Sequence, residues 1–389
     1  MRKISANLIF DGEQFLRNTV LVVGKKGEIL DLQKINQKET PGIEYYEGLI
    51  VPGFINMHQH LELAWMYGKI EKTKTLSQFI KQLLLQKQTS LDEKQRQDAI
   101  FSLDTNMYKQ GLSCVVDIAN TADSIEVKQK SKIKYFTMLE LYSRMGDSDE
   151  LVYEYGEKLK KEFDFSKLET HITPHAFYST SNTLLNFIAE NNKSFLSIHF
   201  LESPDELDLL KHKDSDLKAL SYKNKIKTKP DFKFAEILEF IKRNANDKKM
   251  LLVHNTLLSQ EIIDEFSENE LKNTLFCLCP NSNLHISDKL PNFNMFENNK
   301  LNYCFGTDSL ASNSQISFLS ELKIVQDNML NFKMANVLNA CTLTPASFLG
   351  INDEFGCFKQ GTKPGIVLIN DVDTINYRFT EKSSSKRLL

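Results

Sequence analysis

The sequence lacks an apolar run approaching the length of a bilayer span, so no membrane-spanning helix is expected. It also lacks an excess of one charge. Forty-eight Lys and Arg stand against 51 Asp and Glu, and the net charge of −3 gives no broad attraction to nucleic acid or an anionic membrane. The opening segment, MRKISANLIFDGEQF, has no long apolar core and no small-residue cleavage site, so it does not read as a signal peptide and cytoplasmic residence is the expectation. Cysteine is sparse: Cys114, Cys277, Cys279, Cys304, Cys341 and Cys357. Most lie in apolar, strand-like segments such as TLFCLCP and LNYCFGTD, which predicts buried reduced thiols and not a disulfide scaffold. Cys277 and Cys279 are also too close for zinc-knuckle spacing.

What is present is a chain of 389 residues, 41% hydrophobic and 25% charged, an ordinary globular composition. That length exceeds what one core usually supports, unless the fold is a barrel. Residues 1–49 read as short strands broken by Asp-Gly and Gly-Lys-Lys-Gly turns, and FGCFKQGTKPGIVLINDV near the other end has the same character. Residues 1–49 and 350–389 are therefore expected to build one small β-rich domain from both termini.

Between them, residues 50–349 alternate strand and helix. TLSQFIKQLLLQKQ and LDEKQRQDAIFSLDTNMYKQG are helical in pattern, the second stopping at Gly111. Strands SCVVDIA, KYFTMLEL, ETHITPHA, SFLSIHF, KMLLVHN, NTLFCLCP and LNYCFGTD follow, mostly separated by helical patterns. Ser203, Pro204 and Glu206 fit a capping box opening one of those helices. With the strand in GLIVPGFINMHQH this makes eight β/α repeats, and the expected fold is α/β, a (β/α)8 TIM-type barrel. The lysine-rich stretch 211–233 reads as a solvated insertion, with a lid over the barrel mouth as its functional alternative.

In such a barrel, reactive groups gather at the C-terminal ends of the strands. His58 and His60 end the first strand, where alternate side chains share a face, a spacing suited to holding one metal ion. His175 ends the fourth, His199 the fifth with Glu202 three residues on, His254 the sixth and Asp308 the eighth. His171, His212 and His285 read as ordinary core or surface histidines.

PGFINMHQH, HFLE, LLVHN, CPNSN and GTDS, in that order, resemble the amidohydrolase superfamily, and within it the nucleobase and nucleoside deaminase branch. The chain length and the detail HQHLEL are most similar to the bacterial aminodeoxyfutalosine deaminases of menaquinone biosynthesis. The resemblance implies one divalent ion, Zn²⁺ or Fe²⁺, on His58, His60, His199 and Asp308, activating water for attack on an aminated heteroaromatic carbon. It assigns Glu202 to proton transfer, Asp308 to taking a proton from water, His254 to orienting that water, and His175 to substrate contact. The fourth strand has no lysine at its end that could bridge two metals, which argues for a single ion. Glu62, Arg144, Tyr178, Ser282 and Asn283 are candidates for substrate binding, with Tyr178, Trp65 and Met66 as candidates to stack on the base. For each of these a structural role is an equal alternative.

The implied substrate is a small aminopurine nucleoside, 6-amino-6-deoxyfutalosine, converted to futalosine and ammonia. Alternatives are deamination of S-adenosylhomocysteine, methylthioadenosine or adenosine, of cytosine or guanine, and triazine-type hydrolysis. A degenerate binding protein on this fold should have lost ligands or the glutamate, and none is missing here. Action on nucleic acid would call for a basic groove and a histidine-cysteine metal pattern, neither of which is read in the sequence. A homodimer is left open.

Overall fold

The computed structural model describes residues 1–389 except 36–41, 90, 144–147, 193–194, 219–232 and 314–316. Arg144 and most of the lysine-rich stretch lie outside the described residues.

Seven strands drawn from both ends of the chain form one sheet: β1 (Arg2–Phe10), β2 (Phe15–Leu16), β3 (Thr19–Val23), β4 (Ile29–Lys34), β5 (Ile43–Pro52), β14 (Ile366–Asp373) and β15 (Arg378–Arg387). β5 lies between β1, which it meets in parallel, and β14, which it meets antiparallel. Ile4, Ile9, Leu21, Val23, Ile50 and Leu368 pack one apolar face of this sheet.

Gly53 alone separates β5 from β6 (Phe54–Gln59). The backbone passes so close to its neighbours there that a Cβ would fall 1.9 Å from Ser113 Oγ and 2.4 Å from the Pro364 carbonyl, so only glycine fits. β6 then opens a parallel four-stranded sheet with β7 (Leu112–Ala119), β8 (Lys134–Leu141) and β9 (Thr170–Pro174). A second parallel sheet holds β10 (Phe195–Phe200), β11 (Lys249–His254), β12 (Thr274–Leu278) and β13 (Tyr303–Phe305).

The two parallel sheets touch at both edges. Gln59 bridges Asp308, and the Thr307 and Asp308 amides donate to the His58 carbonyl at 3.1 and 3.0 Å. At the other edge Ala176 bridges His199, whose amide donates to the His175 carbonyl at 2.9 Å. Side-chain alternation then sorts each strand. Ile55, Met57, Cys114, Val116, Met138, Leu251, Val253, Cys277 and Cys304 meet in one buried cluster shared by both sheets. Their neighbours in sequence, such as Phe54, Val115, Leu139, Leu252 and Phe276, face a larger cluster that also takes in the helices. Both faces of these strands are therefore covered, as parallel sheets require.

Local signals set the helices. α1 (Leu76–Lys87) starts where Thr75 Oγ1 accepts the Gln78 amide, and α2 (Glu93–Gln110) where Asp92 accepts that of Gln95 at 2.7 Å. α2 stops at Gly111, whose φ of 105° ends the helix as a left-handed cap. α3 (Ile125–Lys130), α4 (Asp149–Phe165), α5 (Asn182–Asn191) and α6 (Pro204–Leu210) follow β7, β8, β9 and β10. The capping box at α6 is only half formed. Ser203 Oγ accepts the Glu206 amide, but the Glu206 carboxylate turns to the Glu202 amide, at 2.6 Å, and not to that of Ser203. The six cysteines are unpaired, all but Cys357 buried. Among the described residues no helix is long and apolar enough to cross a membrane.

Candidate metal-binding active site

The strand ends deliver the reactive groups because the backbone there leaves the sheet under constraint. Leu201, His254 and Asp308 all take positive φ, 53°, 78° and 53°, a region non-glycine residues rarely occupy. Each sits at, or one residue from, a candidate catalytic side chain. The turn after β6 is held from below: Asp117 Oδ1 on β7 accepts the Leu61 amide at 2.7 Å, and its other oxygen lies 2.6 Å from Lys128 Nζ of α3. Both side chains of this ion pair are fully buried. Gly306 runs beneath the site so tightly that a Cβ would fall 2.7 Å from that of His58.

His58 Nε2 lies 3.2 Å from His60 Nε2 and 3.2 Å from His199 Nε2. Asp308 Oδ1 stands 3.7 Å from the first and 3.5 Å from the second of the HxH pair. One proton on His58 serves at most one of those two neighbours. His199 Nδ1 donates to the His175 carbonyl at 2.9 Å, which leaves its Nε2 as a bare lone pair aimed at His58. Tetrahedral zinc with Zn–N near 2.0–2.1 Å separates its donors by about 3.3 Å, so these nitrogens fit one divalent ion better than they fit each other. His58, His60 and Asp308 form one compact donor group, and His58, His199 and His254 another.

The electrostatics favour neutral His60, His175 and His199 near an anionic carboxylate. Burial, reinforced by the neighbouring His58, lowers His60 to about 3, and burial likewise brings His175 to about 3. Burial and the surrounding imidazoles hold His199 well below its ordinary value. Burial pushes the Asp308 carboxyl up, but His58 and His60 overcome it and keep it well below the usual carboxylate range. Glu202 goes the other way: burial, then the charge of Asp308, raises it well above the ordinary value. Its Oε1 lies 3.7 Å from His254 Nε2.

A cavity of about 350 Å³ opens over this group, lined by His60, His175, His199, Glu202, His254 and Asp308, with Phe79, Leu83, Tyr142 and Tyr178 among its walls. Other candidates lie elsewhere. Ser282 and Asn283 are fully buried behind the site, not on its surface. Ser282 Oγ donates to Asp308 Oδ2 at 2.5 Å, and Asn283 Oδ1 meets His254 Nδ1 at 2.8 Å, so both support reactive side chains. Glu62 and Trp65 face a second, adjoining cavity of about 810 Å³. One Glu62 oxygen accepts from the Asn120 and Thr121 amides and the Thr121 hydroxyl, and burial raises its carboxyl to about 7. Met66 is buried in the core. His171 sits 3.5 Å from Glu169 at the far end of β9, and half-buried His285 lines neither cavity.

Sequence reasoning missed Glu140, Asn120 and Lys87. Glu140, at the end of β8, places Oε1 3.5 Å from His199 Nδ1 and lines both cavities, and burial raises it to about 7. Its signal was available: a carboxylate in the apolar run KYFTMLEL, at the same strand-end address as the histidines.

Comparison with known proteins places this site in a family. The amidohydrolase family profile matches residues 49–386, and the chain belongs to that family. It is a hydrolytic enzyme of C–N bonds. Adenosine deaminase of Helicobacter pylori is 26% identical over 344 residues, 84% of this chain and 81% of the relative. The 5-methylthioadenosine/S-adenosylhomocysteine deaminase of Pyrococcus abyssi is 25% identical over 380 residues, 91% and 81% of the two chains. The crystal structure of Helicobacter pylori aminofutalosine deaminase in complex with methylthio-coformycin superposes with a TM-score of 0.82 at 21% identity, covering 100% of both chains, which shows a shared fold.

Proposed function

We propose that the chain is a hydrolytic deaminase of an adenosine-type nucleoside, with 6-amino-6-deoxyfutalosine as substrate and futalosine plus ammonia as products. We read the two parallel sheets as halves of one closed (β/α)8 barrel, residues 50–349, flanked by the composite domain of 1–49 and 350–389. The observation that carries the reading is the convergence of three imidazole nitrogens and one carboxylate under a cavity into which a buried glutamate also faces.

His58, His60, His199 and Asp308 would hold one Zn²⁺ or Fe²⁺, whose charge makes water a nucleophile near neutral pH. Glu202, protonated in its buried setting, donates to the ring nitrogen beside the amino-bearing carbon as water oxygen adds to that carbon. Asp308, kept ionised by its histidines, takes a proton from the attacking water. His254, fixed through Nδ1 by Asn283, orients the attack. Asp308 passes that proton to the amino group, the C–N bond breaks, and the remaining hydroxyl proton returns to Glu202 as ammonia leaves a carbonyl behind. One water is consumed and one ammonia is released. His175 and Tyr178, both on the cavity wall, are placed to touch the base.

The relatives' own names favour a second reading of the same chemistry, deamination of methylthioadenosine, S-adenosylhomocysteine or adenosine. The test is a deamination assay across aminodeoxyfutalosine, methylthioadenosine, S-adenosylhomocysteine and adenosine, read as loss of the adenine absorbance band. Aminodeoxyfutalosine is expected to give the highest kcat/KM. Chelation should abolish turnover and readdition of Zn²⁺ or Fe²⁺ restore it; full activity in verified metal-free protein would sink the proposal.

A further inference from the structure

The catalytic cavity has a neighbour beside the base-sized space above the histidines. It shares Leu63, Lys87, Asn120, Glu140 and Tyr142 with the adjoining cavity of about 810 Å³, so the two form a chamber and an annex across a common wall. Trp65, Leu141, Leu151 and Tyr155 give the annex apolar lining, beside polar residues such as Thr121 and Ser148. Leu151 and Tyr155 are exposed on α4, at 65% and 51%, which leaves an open apolar surface beside a polar active site.

Lys87 is the cation of that shared wall. It is the last residue of α1, exposed, and among the described residues no carboxylate pairs with its ammonium. Its charge nevertheless reaches the site: it acts on His60, Glu62, Glu140 and His175. Among the described residues the other cation lining the annex is Arg96, already engaged, with Nε 3.1 Å from Asp123 and a bond to the Leu91 carbonyl. Glu140 stands on the same wall, and Glu62 lines the annex. As hydrogen-bond acceptors they suit a hydroxyl-bearing segment, which leaves Lys87 to meet negative charge.

Resting on the nucleoside deaminase reading above, we infer that the annex receives the 5′ substituent of the substrate, and that Lys87 selects substituents carrying a carboxylate on an apolar arm. The base sits over the histidines, the ribose crosses the shared wall, and the arm lies against Trp65 and Leu151. A lysine in the last turn of a helix also answers the helix dipole. That structural role would leave substrate choice untouched, so the two can be separated.

The experiment uses two matched probes with the metal-loaded full chain: 5′-(4-carboxyphenylthio)-5′-deoxyadenosine and 5′-phenylthio-5′-deoxyadenosine, which differ only in the carboxylate. The readout is the ratio of their kcat/KM values. The wild-type ratio should favour the carboxylate by about tenfold, the scale of one partly exposed charge-assisted hydrogen bond. Lys87→Met should bring it close to one, chiefly through KM of the charged probe; Lys87→Arg should retain it, and Lys87→Glu should invert it. A wild-type ratio near one, or a Lys87→Met loss equal for both probes, would overturn the inference while leaving the deaminase reading intact. Failure of the wild type to deaminate either probe or any nucleoside of the panel would overturn the deaminase reading, and this inference with it.

Discussion

The floor of the cavity and its outer wall are built on opposite terms. The reactive side chains His58, His60, His199, Glu202, His254 and Asp308 of the floor stand at strand ends or within three residues of them and are at most 8% exposed, and three of them are tied to a second residue behind. His199 is held by the His175 carbonyl, His254 by Asn283, Asp308 by Ser282 and Ser312, and the Glu202 amide by Glu206. The wall comes from α1 and α4 and carries exposed groups such as Lys87, Leu151 and Tyr155. The difference teaches where chemistry and selectivity can change independently. Groups that must hold a geometry within fractions of an ångström sit on the sheet, and groups that read a substituent sit on helices that can vary at little cost in stability.

The sharpest way to break this contrast is at the buried pair under the floor. Lys128→Met leaves Asp117 charged, buried and unpaired beneath the turn that carries His60, and should cost about 3–5 kcal/mol in denaturant unfolding. A loss below about 1 kcal/mol would mean the turn is held by other contacts. Glu202→Gln should keep the metal and the melting temperature and lower kcat by roughly 10²-fold or more. Near-normal turnover in that variant would move proton transfer to another group.

Acid should separate the floor from the wall as well. His60 and His175 sit at about 3 when folded, against about 6.5 in an unfolded chain. The unfolded state therefore binds more protons below pH 6.5, and stability present at neutral pH is lost as pH falls from 6.5 toward 3. The melting temperature of metal-free protein should drop between pH 7 and pH 5, and a flat profile would contradict the burial argument. The smallest effect belongs to the wall: Leu151→Ser should change stability by less than about 0.5 kcal/mol, and a larger loss on melting would mean the helix face is packed, not open.

Much of the floor was legible in the sequence because a strand end is a position that periodicity can locate. His58, His60, His199, His254 and Asp308 each close an apolar, strand-like run, and each run comes at the spacing of a β/α repeat. The sequence could not say which way a side chain turns once the strand has ended. Ser282 and Asn283 therefore read as cavity lining, while the short helix Pro280–Ile286 aims them inward, behind Asp308 and His254. Glu140 escaped notice because one acid in an apolar strand resembles an interruption. Lys87 escaped because a lysine at a helix end resembles solvated surface, and only the tertiary fold shows that it stands between two cavities.

The single-glycine passage from β5 into β6 bears on how each copy of the enzyme is made. β5 pairs with β14, which begins at Ile366, and the Gly53 amide donates to the Pro364 carbonyl at 3.1 Å. On the ribosome, the ribbon that delivers the first two histidines emerges more than 300 residues before the strand Ile366–Asp373 that closes its edge. A chain interrupted before that closing strand would carry the donors without the frame that aligns them.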